Sequence, residues 1–185
     1  MNNLKTFKNM KLLKFKSFKN KKNLLMYAAI LLFGLQTQAQ IALGGGLAYN
    51  EKVSGPGITL KAEFNITEQI AIAPGGTYFF GNSLYGYNQN ILAVNVNAHY
   101  FFNIIDDKLK IYPLLGVNYS NYKTGAYYYG YYYDTYEVSD NAFGANIGAG
   151  GKWAFSEKLS VYLEPKYIVS DYEQIVVNAG ILFQI

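Results

Sequence analysis

From residue 41 to residue 185 apolar and polar side chains alternate with a period of two, and no stretch sustains a helical period. The alternation predicts eight β-strands, at 41–49, 58–64, 70–80, 91–102, 109–120, 142–155, 159–169 and 174–185. The connections at 65–69, 103–108 and 156–158 are short and polar. Those at 50–57, 81–90 and 121–141 are longer and rich in Gly, Asn and Tyr, and 170–173 is short again. Short turns at one end and mostly longer loops at the other, with the stretch beginning and ending at the turn side, predict an all-β, eight-stranded antiparallel up-and-down barrel.

The two faces of each strand differ in kind. In 92–102 one face carries Leu92, Val94, Val96, Ala98, Tyr100 and Phe102, and the other Ala93, Asn95, Asn97, His99 and Phe101. In 159–169 Leu159, Val161, Leu163, Pro165, Tyr167 and Val169 oppose Ser160, Tyr162, Glu164, Lys166 and Ile168. The second strand sets Ile58, Leu60, Ala62 and Phe64 against Thr59, Lys61 and Glu63. A soluble barrel would turn the apolar faces inward and cover its outside with charge. Here the polar faces are mostly Gly, Ala, Ser and Asn, too poor in charge for a water-facing wall. The apolar faces also end in aromatics: Phe64, Phe102, Trp153 and Phe155 near the turns, and Tyr49, Tyr78, Phe80, Tyr119 and Tyr167 near the loops. Two aromatic girdles around an aliphatic band, on tilted strands of about ten residues, fit a bilayer. Closure into a barrel follows, because an unpaired amide in hydrocarbon costs several kcal/mol.

Charge places the chain in a compartment. The formal net charge is +4, but eight of the lysines fall within residues 5–22, ahead of the apolar run Leu24–Leu35 and the small residues Thr37 and Ala39. This reads as a secretory signal peptide over residues 1–39, cut after Ala39, with Met10 as an alternative start. Twelve apolar residues span only about 18 Å as a helix, short of the ~30 Å hydrocarbon core. Residues 40–185, the predicted barrel domain, keep eight lysines against all twelve acids and have no arginine, a net charge of −4. That leaves no basic face for nucleic acid. There is no cysteine, hence no disulfide, thiolate metal site or lipid-anchor cysteine.

The inward positions carry the candidate chemistry: Lys61, Glu63, His99, Tyr112, Lys152, Tyr162, Glu164 and Lys166. An eight-stranded lumen is just wide enough to be filled by side chains, and unpaired buried ions are costly. These residues therefore predict an ion-paired polar plug, the other reading being a narrow proton or ion path through the same groups. His99 is the only histidine and sits on the inner face without a matching serine, so a catalytic site and a metal site are not expected, nor any cofactor. Gly44–Gly46 and Gly148, Gly150 and Gly151 lack the helix and Lys-Ser/Thr pair of a phosphate loop, and read as small residues facing large ones across the lumen. Pro74, Pro113 and Pro165 lie inside strands and each requires a bulge or a locally open pair.

The C-terminal octet Asn178-Ala179-Gly180-Ile181-Leu182-Phe183-Gln184-Ile185 resembles the assembly signal of Gram-negative outer-membrane proteins, with Asn178, Gly180, Phe183 and Ile185 at its marked positions and Ile185 where an aromatic is usual. An aromatic strand end, a polar turn and an outgoing strand with a proline recur at Phe64–Pro74, Phe102–Pro113 and Phe155–Pro165. With these features the stretch 40–185 resembles the small eight-stranded outer-membrane barrels, OmpX-like and OmpA-transmembrane-domain-like, grouped as porin-family outer membrane β-barrel proteins. The resemblance implies a Gram-negative outer-membrane location, outer-membrane lipid and the barrel-insertion machinery as partners, and a monomer. It implies either a non-enzymatic structural or surface-interaction role or a small solute or ion pore, with a lipid-modifying enzyme third. The candidate interaction surface is the longest loop, with Tyr127, Tyr128, Tyr129, Tyr131, Tyr132, Tyr133 and Tyr136; its ligand, a glycan or a protein, is not specified by the residues.

Overall fold

The computed structural model describes residues 40–81, 87–105, 108–127 and 135–185; the signal-peptide reading of residues 1–39 and Tyr128–Tyr133 of the tyrosine loop lie outside them. The described chain is all-β: β1 (Ile41–Asn50), β2 (Gly55–Asn65), β3 (Ile70–Phe80), β4 (Tyr87–Tyr100), β5 (Phe102–Ile105), β6 (Leu109–Tyr127), β7 (Thr135–Ala154), β8 (Leu159–Ser170) and β9 (Gln174–Gln184). All pairings are antiparallel between sequence neighbours, and β1 pairs with β9, running from Ala42↔Gln184 to Asn50↔Val176. Segments β4 and β5 both pair with β6 and occupy one position in the wall, so the barrel is closed and eight-stranded.

The predicted fourth strand, 91–102, is divided at Phe101, whose amide still donates to the in-register Gln69 carbonyl on the β3 side but which has no rung to β6. The cause is the proline opposite. The β4–β6 ladder stops at His99↔Leu114 and the β5–β6 ladder starts at Phe102↔Ile111, leaving open the two rungs that contain Pro113. Pro74 and Pro165 do the same. The β2–β3 ladder is open between Lys61↔Gly75 and Phe64↔Ile72, and the β7–β8 ladder between Gly148↔Lys166 and Gly151↔Leu163. On its other side each proline sits in a continuous ladder, as Pro74↔Val96, Pro113↔Ala149 and Pro165↔Val177. Register is unchanged across every gap, so no residue is inserted: the three prolines are accommodated as open rungs and not as bulges.

The hydrophobic distribution is inverted relative to a soluble protein. Leu47, Leu60, Leu115, Val117, Phe143 and Ile147 are all more than half exposed on the outer wall, Phe143 at 78%. Lys61, Glu63, Asn97, His99, Asn118, Asn146, Glu164 and Lys166 are buried inside. Tyr49, Tyr78, Phe80, Tyr119 and Tyr167 are exposed towards the loop end, and Phe102, Trp153 and Phe155 towards the turn end, with Phe64 half-buried. Four strands outrun their sequence-based bounds by three residues or more: β2 and β4 begin at Gly55 and Tyr87 instead of 58 and 91, and β6 and β7 extend furthest. β6 and β7 remain paired up to Tyr127↔Thr135, eight residues beyond Tyr119, or about 26 Å measured along the strand.

Candidate functional site: the barrel lumen

The lumen is built in layers by the inward parity of the strands. Nearest the turn end is a charged layer. Lys61 and Glu63 stand two residues apart on β2, and closure of the barrel brings them across to Glu164 on β8, which Lys61 contacts directly. Lys152 of β7 reaches the other carboxylate, Glu63, and lies 4.4 Å over the Phe101 ring. Tyr112 donates to Glu164 at 2.6 Å. His99, 1% exposed, lies between the two acids, with Nδ1 3.6 Å from Glu63 and Nε2 3.6 Å from Glu164. Its ring stacks on Tyr112 at 4.6 Å and 25°, and Lys61 lies 4.5 Å over Tyr162.

Why the layer forms at this height follows from the prolines. Glu63, Phe101, Tyr112 and Glu164 all fall on the open rungs, where the neighbouring strands are not held by ladder hydrogen bonds. Gly150 lies on one of these rungs as well, and a Cβ there would stand 2.5 Å from the Tyr112 ring. A Cβ on Gly180 would come within 2.8 Å of the Tyr162 hydroxyl. Small inward residues thus make room for large ones, as the glycine pattern predicts.

Towards the loops comes an amide layer. Asn118 and Asn146 both donate to Asn95 Oδ1 at 2.9 Å, Asn146 also reaches Asn97 at 2.7 Å, and Lys166 donates to Asn95 at 3.1 Å. Above it Ala48, Val53, Phe79, Ile91, Ala93, Ile168 and Val176 form an apolar collar, while on the β6 side the buried Ser120, level with Ala93, donates to Asn118 and Tyr122 packs against the collar. A last polar ring closes the loop end: Asn50 donates to Gln174, Gln174 donates to Tyr122 at 2.8 Å, and Tyr172 donates to Asp140. A polar vestibule of about 520 Å³, with Gln40, Asn65, Thr67, Asn103, Lys110 and Lys152 in its wall, opens at the turn end and is floored by Phe101.

All eight residues named from the sequence therefore meet inside the barrel. The amide layer and the collar were not named, although the inward parity of Asn95, Asn97 and Asn146 was readable; polar amides and alanines give no chemical signal until their cross-lumen partners are known. The contacts of His99 are the carboxylates of Glu63 and Glu164 and the rings of Phe101 and Tyr112. Among the described residues no group of three or more acidic, histidine or cysteine side chains could hold a metal. In the C-terminal octet Asn178 is buried and Gly180 faces the lumen, while Phe183 and Ile185 are exposed on the outer wall. Tyr127 ends β6 and Tyr136 pairs with Ala126 in the ladder; the rest of the tyrosine loop lies beyond the described residues.

No protein-family model matches the sequence, and no curated protein is similar to it. Solved structures are. A major outer membrane protein from Thermus thermophilus has a TM-score of 0.62 at 12% identity, over 80% of this chain and 99% of that one. Ail, the attachment invasion locus protein of Yersinia pestis, in complex with the heparin analogue sucrose octasulfate, has a TM-score of 0.57 at 15% identity, over 80% and 100%. The N-terminal β-barrel domain of Pseudomonas aeruginosa OprF has a TM-score of 0.56 at 14% identity, over 80% and 100%. At these identities the likeness is one of fold: the chain has the fold of the small outer-membrane β-barrels.

Proposed function

We propose that this chain is a non-enzymatic integral protein of a Gram-negative outer membrane, exported by a cleaved signal peptide, with a sealed lumen and a surface-interaction role at its loop end. The observation that carries this reading is the lumen itself. A charged layer, an amide layer and an apolar collar follow one another between the vestibule and the loops, each bridging the barrel from wall to wall. Side chains held this way do the work of a plug, and beside the collar the polar contacts narrow to one file of side chains on β6, Asn118, Ser120 and Tyr122, leading to Gln174. Planar-bilayer recording of purified protein tests the reading: no resolved channels are expected, and unitary steps would move the assignment to a small pore.

The outer wall supports lipid as the first partner, and β9, which closes the barrel against β1, supports recognition of its Phe183 and Ile185 edge by the insertion machinery. At the loop end the β6–β7 ladder continues past the outer girdle to Tyr127↔Thr135, the residues that flank the tyrosine-rich stretch. The described charges near that end are Lys52 and Lys123 against Glu51, Asp140, Asp171 and Glu173. An excess of acid disfavours a sulfated polyanion of the kind held by the Ail complex and favours an uncharged glycan or a protein surface, for which tyrosines are suited. Deleting Ala126–Asp134 should leave the barrel folded and abolish adhesion to glycan or protein arrays; retained adhesion would remove the tyrosine tip from the proposal.

A further inference from the structure

The charged layer does not balance. Lys61 is matched with Glu164 and Lys152 with Glu63, which uses both enclosed carboxylates. Lys166 is left over. It is 5% exposed, sits on the loop side of the pairs and away from the vestibule, and has no carboxylate within ion-pair distance among the described residues. Its hydrogen-bond partner is the neutral Asn95 Oδ1 at 3.1 Å, although an ammonium has three donors to place. An enclosed cation served by one amide oxygen is costly, and the cost falls if a counter-charge is bound beside it.

There is a place for one. Lys166 borders a cavity of about 20 Å³, which exceeds the ~10–15 Å³ that a single water-sized occupant needs. The Tyr162 hydroxyl, on the same wall, is buried and has no hydrogen-bond partner among the described residues, and neither has Asn178 Oδ1. Thr59 and Thr77 also line it, with their hydroxyls engaged with the Gly76 carbonyl and with each other, as do Lys61, Asn95 and Asn97. Glu164 also borders the cavity, with its charge taken up by Lys61 and the Tyr112 hydroxyl. A free ammonium proton, a free phenolic proton and an amide that can present its NH₂ group thus belong to residues that line one small cavity. We propose that the lumen binds a single small anion, chloride in ordinary medium, on Lys166, Tyr162 and Asn178, enclosed when the barrel closes.

The test is to refold the protein into lipid vesicles in sodium chloride and, at matched ionic strength, in sodium gluconate, whose anion is too large for the cavity. Urea midpoints are read from heat-modifiable gel mobility, and crystals grown in bromide are examined for an anomalous peak. A midpoint that rises saturably with chloride, a bromide peak in contact with Lys166 Nζ, and loss of the chloride effect in Lys166→Met support the site. Tyr162→Phe keeps the volume and removes one donor, so it should weaken the chloride dependence severalfold even if Lys166→Met fails to fold. Equal midpoints of the parent protein in the two salts with no bromide peak would overturn the proposal, leaving the cavity to water.

Discussion

The two halves of the lumen close the same barrel by opposite chemistry. The turn half relies on ions: two carboxylates, two lysines and a histidine gather across the lumen and pack on Phe101, Tyr112 and Tyr162. The loop half relies on an apolar collar around Phe79 and Ile91. Both reach across the lumen, but they respond differently to truncation. Removing one member of the ionic layer leaves its partners charged and enclosed, whereas removing one member of the collar leaves a void that water can enter. The ionic layer therefore depends on its partners being present in pairs, and the collar on its volume being filled.

The comparison can be broken at either end. Glu164→Ala strips the acceptor from Lys61 and from the Tyr112 hydroxyl and is expected to lower unfolding stability by about 3–5 kcal/mol in vesicle urea titrations. The joint replacement Glu164→Leu with Lys61→Met should recover most of that loss, because apolar groups of similar volume replace both ions. A joint variant as unstable as Glu164→Ala would mean the layer is held by something other than this pair. In the collar, Phe79→Ala is expected to cost about 3 kcal/mol and to be the variant that lets ions leak in bilayer recordings, since it opens a void beside the file of polar side chains on β6. Should Glu164→Ala leak more than Phe79→Ala, the two halves have exchanged roles.

Smaller effects sharpen the picture. Gly150→Val forces a side chain against the Tyr112 ring and should cost about 1–3 kcal/mol, most of it relieved in a Tyr112→Ala background; additive losses in that double-mutant cycle would show that the two residues do not share the space. The smallest effect lies beyond the outer girdle. There the Tyr172 hydroxyl, and after it the Asn141 amide, hold the Asp140 carboxyl below its usual value of 3.8. An acid with a lowered value in the folded state contributes its anchoring above its unfolded value and loses it as pH falls through the folded one. The 170–174 connection is thus expected to become more accessible to an acid-active protease only below about pH 4, while the barrel stays folded. Tyr172→Phe should show that accessibility already at neutral pH, and a loop equally protected in both proteins would show that this contact does not hold it.

Phe79 and Glu164 show why the fold was more legible than the site. Each strand's inward and outward positions follow from a period of two, so Leu60, Lys61 and Glu63 were assigned to their faces without reference to any other strand. Strands 70–80 and 159–169 were bounded to within a residue, because polar turns flank them. The β6–β7 hairpin was underestimated, since Tyr, Gly and Thr beyond residue 120 read as loop until the partner strand supplies the ladder.

Sequence by itself determined the strand count, the inverted polarity of the wall, the aromatic girdles and the set of ionisable groups turned inward, since these depend on local alternation and on the solvent a face must meet. Only the tertiary structure decided that Lys61 answers Glu164 while Lys152 answers Glu63, that His99 lies between both acids, that Lys166 is left without an acid, and that the three prolines open rungs at the height of the charged layer. These partners are up to 103 residues apart. Their meeting is set by register and closure, and a strand taken alone carries no information about which side chain stands across the lumen.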